Sequence, residues 1–575
     1  MYIRPCYKTK DGKRHAYWTL VESVRTERGP RQRVVAYLGD MDESGCLGMQ
    51  EAAQGEETSR QQYLLKETVE PEWVEVDVSQ VRVENTRDFG GPWLGLALIK
   101  KLGLDSFLQE VMPSGREDIP WWAMAVVSII CRLCNPSSEL HIAEHYYEKT
   151  ALPELMGITK EKVYDQRLYR TLDALLPQKE ALEIFLKKRL GELFSLDYDL
   201  LLYDVTSTYF EGKALDNPKA KQGYSRDHRP DCKQVCIGLV VSRCGMPFGY
   251  EVFDGNRSDV TTTEEVVECM EARYGKANRI WVMDRGLVSD EVITFLNEEG
   301  RRYIVGTPRS RLRTFEKELV KNDWTTVREG VEVKLCSCPE GGQETYILCR
   351  SADRRQKEKA MHQRFEERIE VGLKAIETAC HKRKQKVVTI AKRLGRLLSI
   401  NSRAAKLFKT DVIETPQGAQ LVWSKEETAR DWAALSEGCY LLRTNVGDWT
   451  DEELWKAYIQ LTEIEEAFRI HKSDLHIRPI WHQREDRVLA HILVCFLAYV
   501  LWKTLEKLAF QAGLGNEPRK ILHTLSQIQL VDVVLPTRKG VDIRKQCITQ
   551  PTEHQKILLQ HLKLELPARL ISPKL

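Results

Sequence analysis

Apolar residues recur three and four positions apart through Tyr458–Pro479, at Tyr458, Leu461, Ile464, Phe468 and His471, with no Gly or Pro before Pro479. That period predicts a single helix. Glu465 lies midway between Tyr458 and Lys472, seven residues from each, which sets all three on roughly one face, about two turns apart. A carboxylate flanked by a phenol and an ammonium suits the handling of phosphate. An amphipathic helix with a solvated charged face carries the same stripe, so the stretch gains meaning only from what lies upstream.

From residue 196 the pattern changes to strands. DYDLLLYDVTSTYF is apolar and β-branched, yet Asp204 interrupts it where a core strand has no reason to carry charge. A lone buried carboxylate costs several kcal/mol, so it must be paired, protonated or bound to metal. Two strands follow, KQVCIGLVVSR and MPFGYEVF, joined at Cys244-Gly245 as a hairpin. A helix (TTTEEVVECMEARY), the strand ANRIWVMDRG ending at Asp284, a second helix and the strand RRYIVGTP complete the unit. Three strands, helix, strand, helix, strand is the ribonuclease-H-like order, a mixed sheet flanked by helices in which strands one and four are parallel neighbours. Asp204 and Asp284 then meet, and a third acid is expected on a later helix, with Glu465 the candidate. Glu466 adjoins it, but Glu465 fits the spacing to both Tyr458 and Lys472.

The whole chain is accordingly expected to be a multidomain α/β protein. Residues 1–40 form a small basic β-hairpin module, with nine Lys/Arg against four acids, and 41–72 an acidic linker. Residues 73–195 hold a strand pair and a helical domain that could bind DNA or a second protomer. The core occupies 196–310 and resumes at 446–512 with Glu465. Between them 311–445 forms a β-rich insertion with a long helical stretch, and 513–575 is a mixed tail.

Composition adds limits. At 575 residues the chain needs several units, and 42% apolar with 30% charged residues describes a folded globular protein. Net charge is only +2, so any nucleic-acid footprint must be local. The strongest is Lys382–Lys409, with ten Lys/Arg and no acid, including Lys382, Arg383, Lys384, Lys386, Lys392, Arg393 and Arg396. The longest apolar run, HILVCFLAYVLW, reads as a buried helix too short for a bilayer, so no membrane partner is expected. MYIRPCYKTK lacks the apolar core of a secretion signal, so the fifteen cysteines are expected reduced, in the cytoplasm. Cys131/Cys134 and Cys336/Cys338 have no second pair at zinc-site spacing. Arg285 reads equally as a phosphate contact or an acid's partner, and His228 and Arg229 as DNA contacts or loop solvation. Asn256 and Asp259 read as turn residues.

LLYDVTSTYF, YSRDHRPD, FDGN, MDRG and Tyr-x6-Glu-x6-Lys, in this order, resemble the bacterial insertion-sequence transposases of the DDE class. More narrowly they are similar to the group marked by Tyr-x2-Arg-x3-Glu-x6-Lys with a β-rich insertion before the Glu. The resemblance covers residues from about 90 to 510, and the N-terminal YWTLVESVRTERGPRQRVVAYLGD is similar to a long-chain branch of that group. It implies Asp204, Asp284 and Glu465 as the catalytic, metal-binding triad and Tyr458 and Lys472 as contacts to phosphate or end DNA. Leu461 stands where the group has Arg, with Arg469 the nearest substitute, and Tyr440 where some relatives place a Trp that stacks on a flipped base. Three carboxylates without His or Cys suit Mg²⁺ or Mn²⁺, two ions per site. The expected activity is cleavage of the element's terminal inverted repeats and joining to target DNA, by a homodimer associated with the bacterial nucleoid. A DNA-binding regulator or a plain nuclease on the same fold is the alternative. A paired-carboxylate glycosidase also places acids at strand ends, but leaves the basic run and Lys472 without a use.

Overall fold

The structure is a computed structural model describing residues 2–10, 13–26, 29–39 and 73–567, apart from 340, 342, 343 and 539. The expected acidic linker, 41–72, lies outside the described residues. At the N-terminus β1 (Tyr2–Lys10), β2 (Lys13–Thr26) and β3 (Gly29–Gly39) form an antiparallel sheet in that order. The expected hairpin is β2–β3. β1 adds to the other side of β2, from Tyr2 opposite Val21 to Lys10 opposite Lys13. Pro5 obscures this strand in the sequence, but β1 is an edge, where a proline is tolerated.

Residues 73–84 do not pair with one another as expected. β4 (Arg82–Asp88) pairs instead with β16 (Gln529–Pro536), and β16 with β17 (Asp542–Ile548), so the tail closes onto the start of the helical region. Arg87 fastens this sheet, bonding Asp532 at 2.6 Å and also Glu154. Partners 445 residues apart leave no mark on local periodicity, which is why the tail looked featureless.

A nine-stranded sheet organises the rest. Its centre is β5 (Leu200–Tyr209), β6 (Gln234–Ser242), β7 (Pro247–Asp254), β8 (Ile280–Met283) and β9 (Arg302–Gly306). β8 lies parallel to both β5 and β9, and β6 and β7 continue antiparallel from β5. This is the mixed sheet of a ribonuclease-H-like core. Alternation along β5 divides its two faces. Leu201, Tyr203 and Val205 pack beneath the helices Thr263–Tyr274 and Asp290–Glu298. Leu200 and Leu202 belong to the larger core that includes Ile464 and Phe468 and the helix Glu485–Gln511. Asp204 shares the parity of Leu200 and Leu202, and therefore that face.

The expected insertion is not a separate β unit. β10 (Thr325–Arg328), β11 (Val331–Ser337), β12 (Thr345–Ser351) and β15 (Cys439–Thr444) extend the same sheet beyond β9. The helices Ala352–Lys382, Val387–Ile400 and Ser402–Ala405 and the hairpin of β13 (Phe408–Thr415) and β14 (Gly418–Lys425) build a lobe with its own core around Ile369, Leu373, Ile390 and Leu421. The apolar run near residue 495 sits in the Glu485–Gln511 helix, longer than the run itself suggested. By length and composition it could cross a membrane, but it is buried against the sheet and the helix Trp121–Cys134.

Candidate active site

The parallel register of β5 and β8 sets Tyr203 opposite Met283. Asp204 and Asp284 each follow one residue later, Asp204 within β5 and Asp284 just past the end of β8, so the two acids leave neighbouring strands, which lie about 4.8 Å apart in a sheet. Asp204 is half-buried and accepts its own strand's Val205 amide at 2.7 Å. Burial raises its pKa to about 7, with Asp284 adding to the rise and Arg226 opposing it. Asp284 is exposed at the start of the turn Arg285–Leu287.

The single helix expected over Tyr458–Pro479 is divided. Asp451–Ile459, opened by a Thr450/Glu453 capping box, ends at Gln460, and Leu461–Arg469 begins a new segment that passes into a π-turn, Ile470–Asp474. The first segment packs on β9 and β11 and the second on β5 and β6, so the axis breaks where the packing partner changes. Tyr458 and Glu465 thereby serve different strands. The Tyr458 hydroxyl donates to Asp284 Oδ1 at 3.0 Å, and burial with the Asp284 charge raises its pKa so that it keeps its proton. Gly306, ending β9, makes room for this bond: a Cβ there would lie 2.6 Å from the Tyr458 hydroxyl and 3.3 Å from Asp284 Oδ1.

Glu465 is exposed on the helix covering the Asp204 face, and among the described residues no cation pairs with it. Three residues on, Phe468 shares a cavity wall with Thr206, two residues along β5 from Asp204. Glu466 is committed elsewhere, bonded by Arg469, which lowers its pKa. Arg469 thus bonds Glu466 and Asp474. Lys472 is turned inward, bonding Asp227 at 2.9 Å. Arg285 is exposed and, among the described residues, has no acid partner.

Beside Asp284 opens a cavity of about 380 Å³, lined among others by Arg285, Arg354, Tyr440, Trp455 and Tyr458. Tyr440 accepts from Trp455 Nε1 at 2.7 Å and carries the Arg354 guanidinium over its ring. The basic run lies apart, on the insertion lobe, where Lys382, Arg383, Lys384, Lys386, Lys392, Arg393 and Arg396 are all exposed and, among the described residues, none meets an acid. Sequence reading passed over Arg226, Asp227, Gly306 and Trp455. Only the first two carried a signal, charged residues in a loop following a suspect aspartate.

The donor set around Asp204 and Asp284 is carboxylate, which fits a hard divalent cation.

A mixed sheet of this order, β5 parallel to β8 and antiparallel to β6, is the core of a polynucleotidyl transferase of the DDE class. Residues 195–501, more than half of the chain, match the family described as Transposase DDE domain, and the chain belongs to it. Residues 3–67 match the IS1634 family transposase N-terminal domain. The protein is an insertion-sequence DDE transposase, a class of domain that works with divalent metal. No curated protein matches it. Among solved structures it is similar to the cryo-EM structure of the piggyBac transposase synaptic complex with hairpin DNA, at 10% identity and TM-score 0.36, covering 79% of this chain and 82% of that one.

Proposed function

We propose that Asp204, Asp284 and Glu465 together hold two Mg²⁺ or Mn²⁺ ions, and that the chain cleaves the ends of its element and joins them to target DNA at this one site. The observation that supports this most is the pairing of Asp204 and Asp284 on adjacent parallel strands, with an unpaired Glu465 on the helix over the same face. When bound, such ions would supply activation of a water or 3′-hydroxyl and stabilisation of the leaving oxygen. The side chains do the rest. Tyr458 fixes the rotamer of Asp284 by its hydrogen bond, and Glu465, free of cations, is available as a ligand.

Tyr440, Trp455, Arg285 and Arg354 give the adjoining cavity flat surfaces and cations, suited to an unstacked nucleotide of the end DNA. The exposed cations of the insertion lobe, with Arg469 at the helix end, contact the phosphate backbone. Two element ends are held by a homodimer, on nucleoid DNA in the bacterial cytoplasm.

The test is cleavage of a labelled duplex carrying an element end. Asp204→Ala, Asp284→Ala and Glu465→Ala are expected to lose cleavage and keep DNA binding, and any one that cuts at the wild-type rate leaves the triad. A plain nuclease would cut these ends without producing joined strands.

A further inference from the structure

The loop after β5 carries YSRDHRPD, and two neighbouring residues in it face different tasks. Asp227, its side chain 2% exposed, holds Lys472 at 2.9 Å and Arg478 on the same Oδ1. This buried pair pins the loop to the π-turn beyond Glu465. Arg226 reaches β5 instead. Its amide donates to Ser207 Oγ at 3.3 Å, three residues along β5 from Asp204, and its Nη2 bonds Asp259. Asp259 opens the turn Asp259–Thr262, which is fixed beside both acids. The hydroxyl of Tyr203, next to Asp204, donates to Thr262 Oγ1 at 2.7 Å, and Thr263 Oγ1 donates to Leu287 O at 2.9 Å, three residues past Asp284.

A cation is therefore built into the margin of the acid pair. Both Arg226 and Asp259 act on the Asp204 carboxyl, in opposite directions. Only Nη2 of Arg226 is committed to a carboxylate, and the side chain stays 26% exposed. The guanidinium fork keeps further N–H donors for an anion, in the geometry that matches a phosphate.

We propose that Arg226 contacts a non-bridging oxygen of the phosphate being displaced, with Asp259 and Asp227 as the residues that position it, and that its charge opposes divalent-ion binding at Asp204. This rests on Asp204 and Asp284 being metal ligands. Arg226 stabilises charge that grows on the phosphate in the transition state. Before DNA arrives, the same charge is a cost to the bound ion.

The experiment pairs titration of the full chain with Mn²⁺, read from the signal of free ion, with strand cleavage on a labelled element-end duplex. Arg226→Gln is expected to lower cleavage roughly 10²-fold while binding Mn²⁺ about tenfold more tightly. Movement in opposite directions separates this from a collapsed loop, which weakens both. Arg226→Lys, keeping the charge, is expected to recover part of the cleavage and the wild-type Mn²⁺ affinity. Asp259→Asn is expected to lose cleavage yet still bind Mn²⁺. Wild-type cleavage in Arg226→Gln, an unchanged or weaker Mn²⁺ affinity there, or loss of Mn²⁺ binding in Asp259→Asn, which makes Asp259 a ligand, each overturns the proposal. Asp204→Ala is the separate control: if it binds Mn²⁺ and cuts like wild type, the metal assignment fails whatever the Arg226 variants do.

Discussion

Tyr458 donates to Asp284 across 174 residues of chain, at 3.0 Å, and Gly306 is what lets the two meet. Gly306→Ala places a methyl 2.6 Å from that hydroxyl, closer than any stable contact allows, so Tyr458 must move. Cleavage of end DNA is expected to fall at least as far in Gly306→Ala as in Tyr458→Phe, roughly tenfold for a lost orienting hydrogen bond. The glycine does not have positive φ, but the methyl would also lie 3.0 Å from the Arg285 backbone nitrogen, so thermal denaturation of the variant is measured beside cleavage to separate a lost bond from unfolding. Wild-type cleavage by Gly306→Ala contradicts a role for the bond.

Lys472 is expected to act on stability. Its ammonium and the Asp227 carboxylate are 13% and 2% exposed; orphaning one partner of a buried pair costs about 3–5 kcal/mol, and the loss here is smaller because Arg478 still meets Asp227. Lys472→Ala should lower the denaturant midpoint of the DNA-free protein. A midpoint equal to wild type means the pair contributes nothing.

Acid should act on the fold through two buried histidines, against the opposite contribution of Asp204, whose raised pKa favours the folded state as pH falls below about 7. Burial lowers the pKa of His471 to about 4 and of His491 to about 3. The unfolded chain takes up these protons near 6.5, so their share of stability is complete above that pH and is lost as pH falls through the window below it. Each pH unit there costs roughly 1.4 kcal/mol per histidine. His491 lies within 3.4 Å of the Arg132 guanidinium, which further opposes its protonation. Denaturation at about pH 7 and pH 5 checks this: His491→Gln is expected to lose less stability than wild type between the two, and an equal loss in both contradicts it.

The insertion lobe offers a test of DNA binding that leaves the catalytic acids untouched. Replacing Lys392, Arg393 and Arg396 by alanine should weaken binding of any duplex and reduce the slope of log affinity against log salt by about 0.9 for each phosphate no longer neutralised. An unchanged slope assigns these cations to solvent.

The core was legible because its strands alternate and its acids break the alternation: Asp204 in a run of apolar residues and Asp284 at the end of IWVM announced themselves. Glu465 was singled out by its spacing alone, and the helix carrying it breaks at Gln460, where the change of packing partner has no local signature. What escaped reading was long-range. β4 finds its partner in the tail, the insertion strands run on from β9, and Lys472, read as a phosphate contact, spends its charge on Asp227. Periodicity reports which face of an element is buried, and says nothing of which loop will meet it.

Anomalous difference density from crystals of the full chain soaked in Mn²⁺ measures the centre of this account most directly. Peaks are expected within coordination distance of Asp204 and Asp284, with Glu465 closing the shell. Manganese bound elsewhere in the fold, with Asp204 and Asp284 both free of it, contradicts the account.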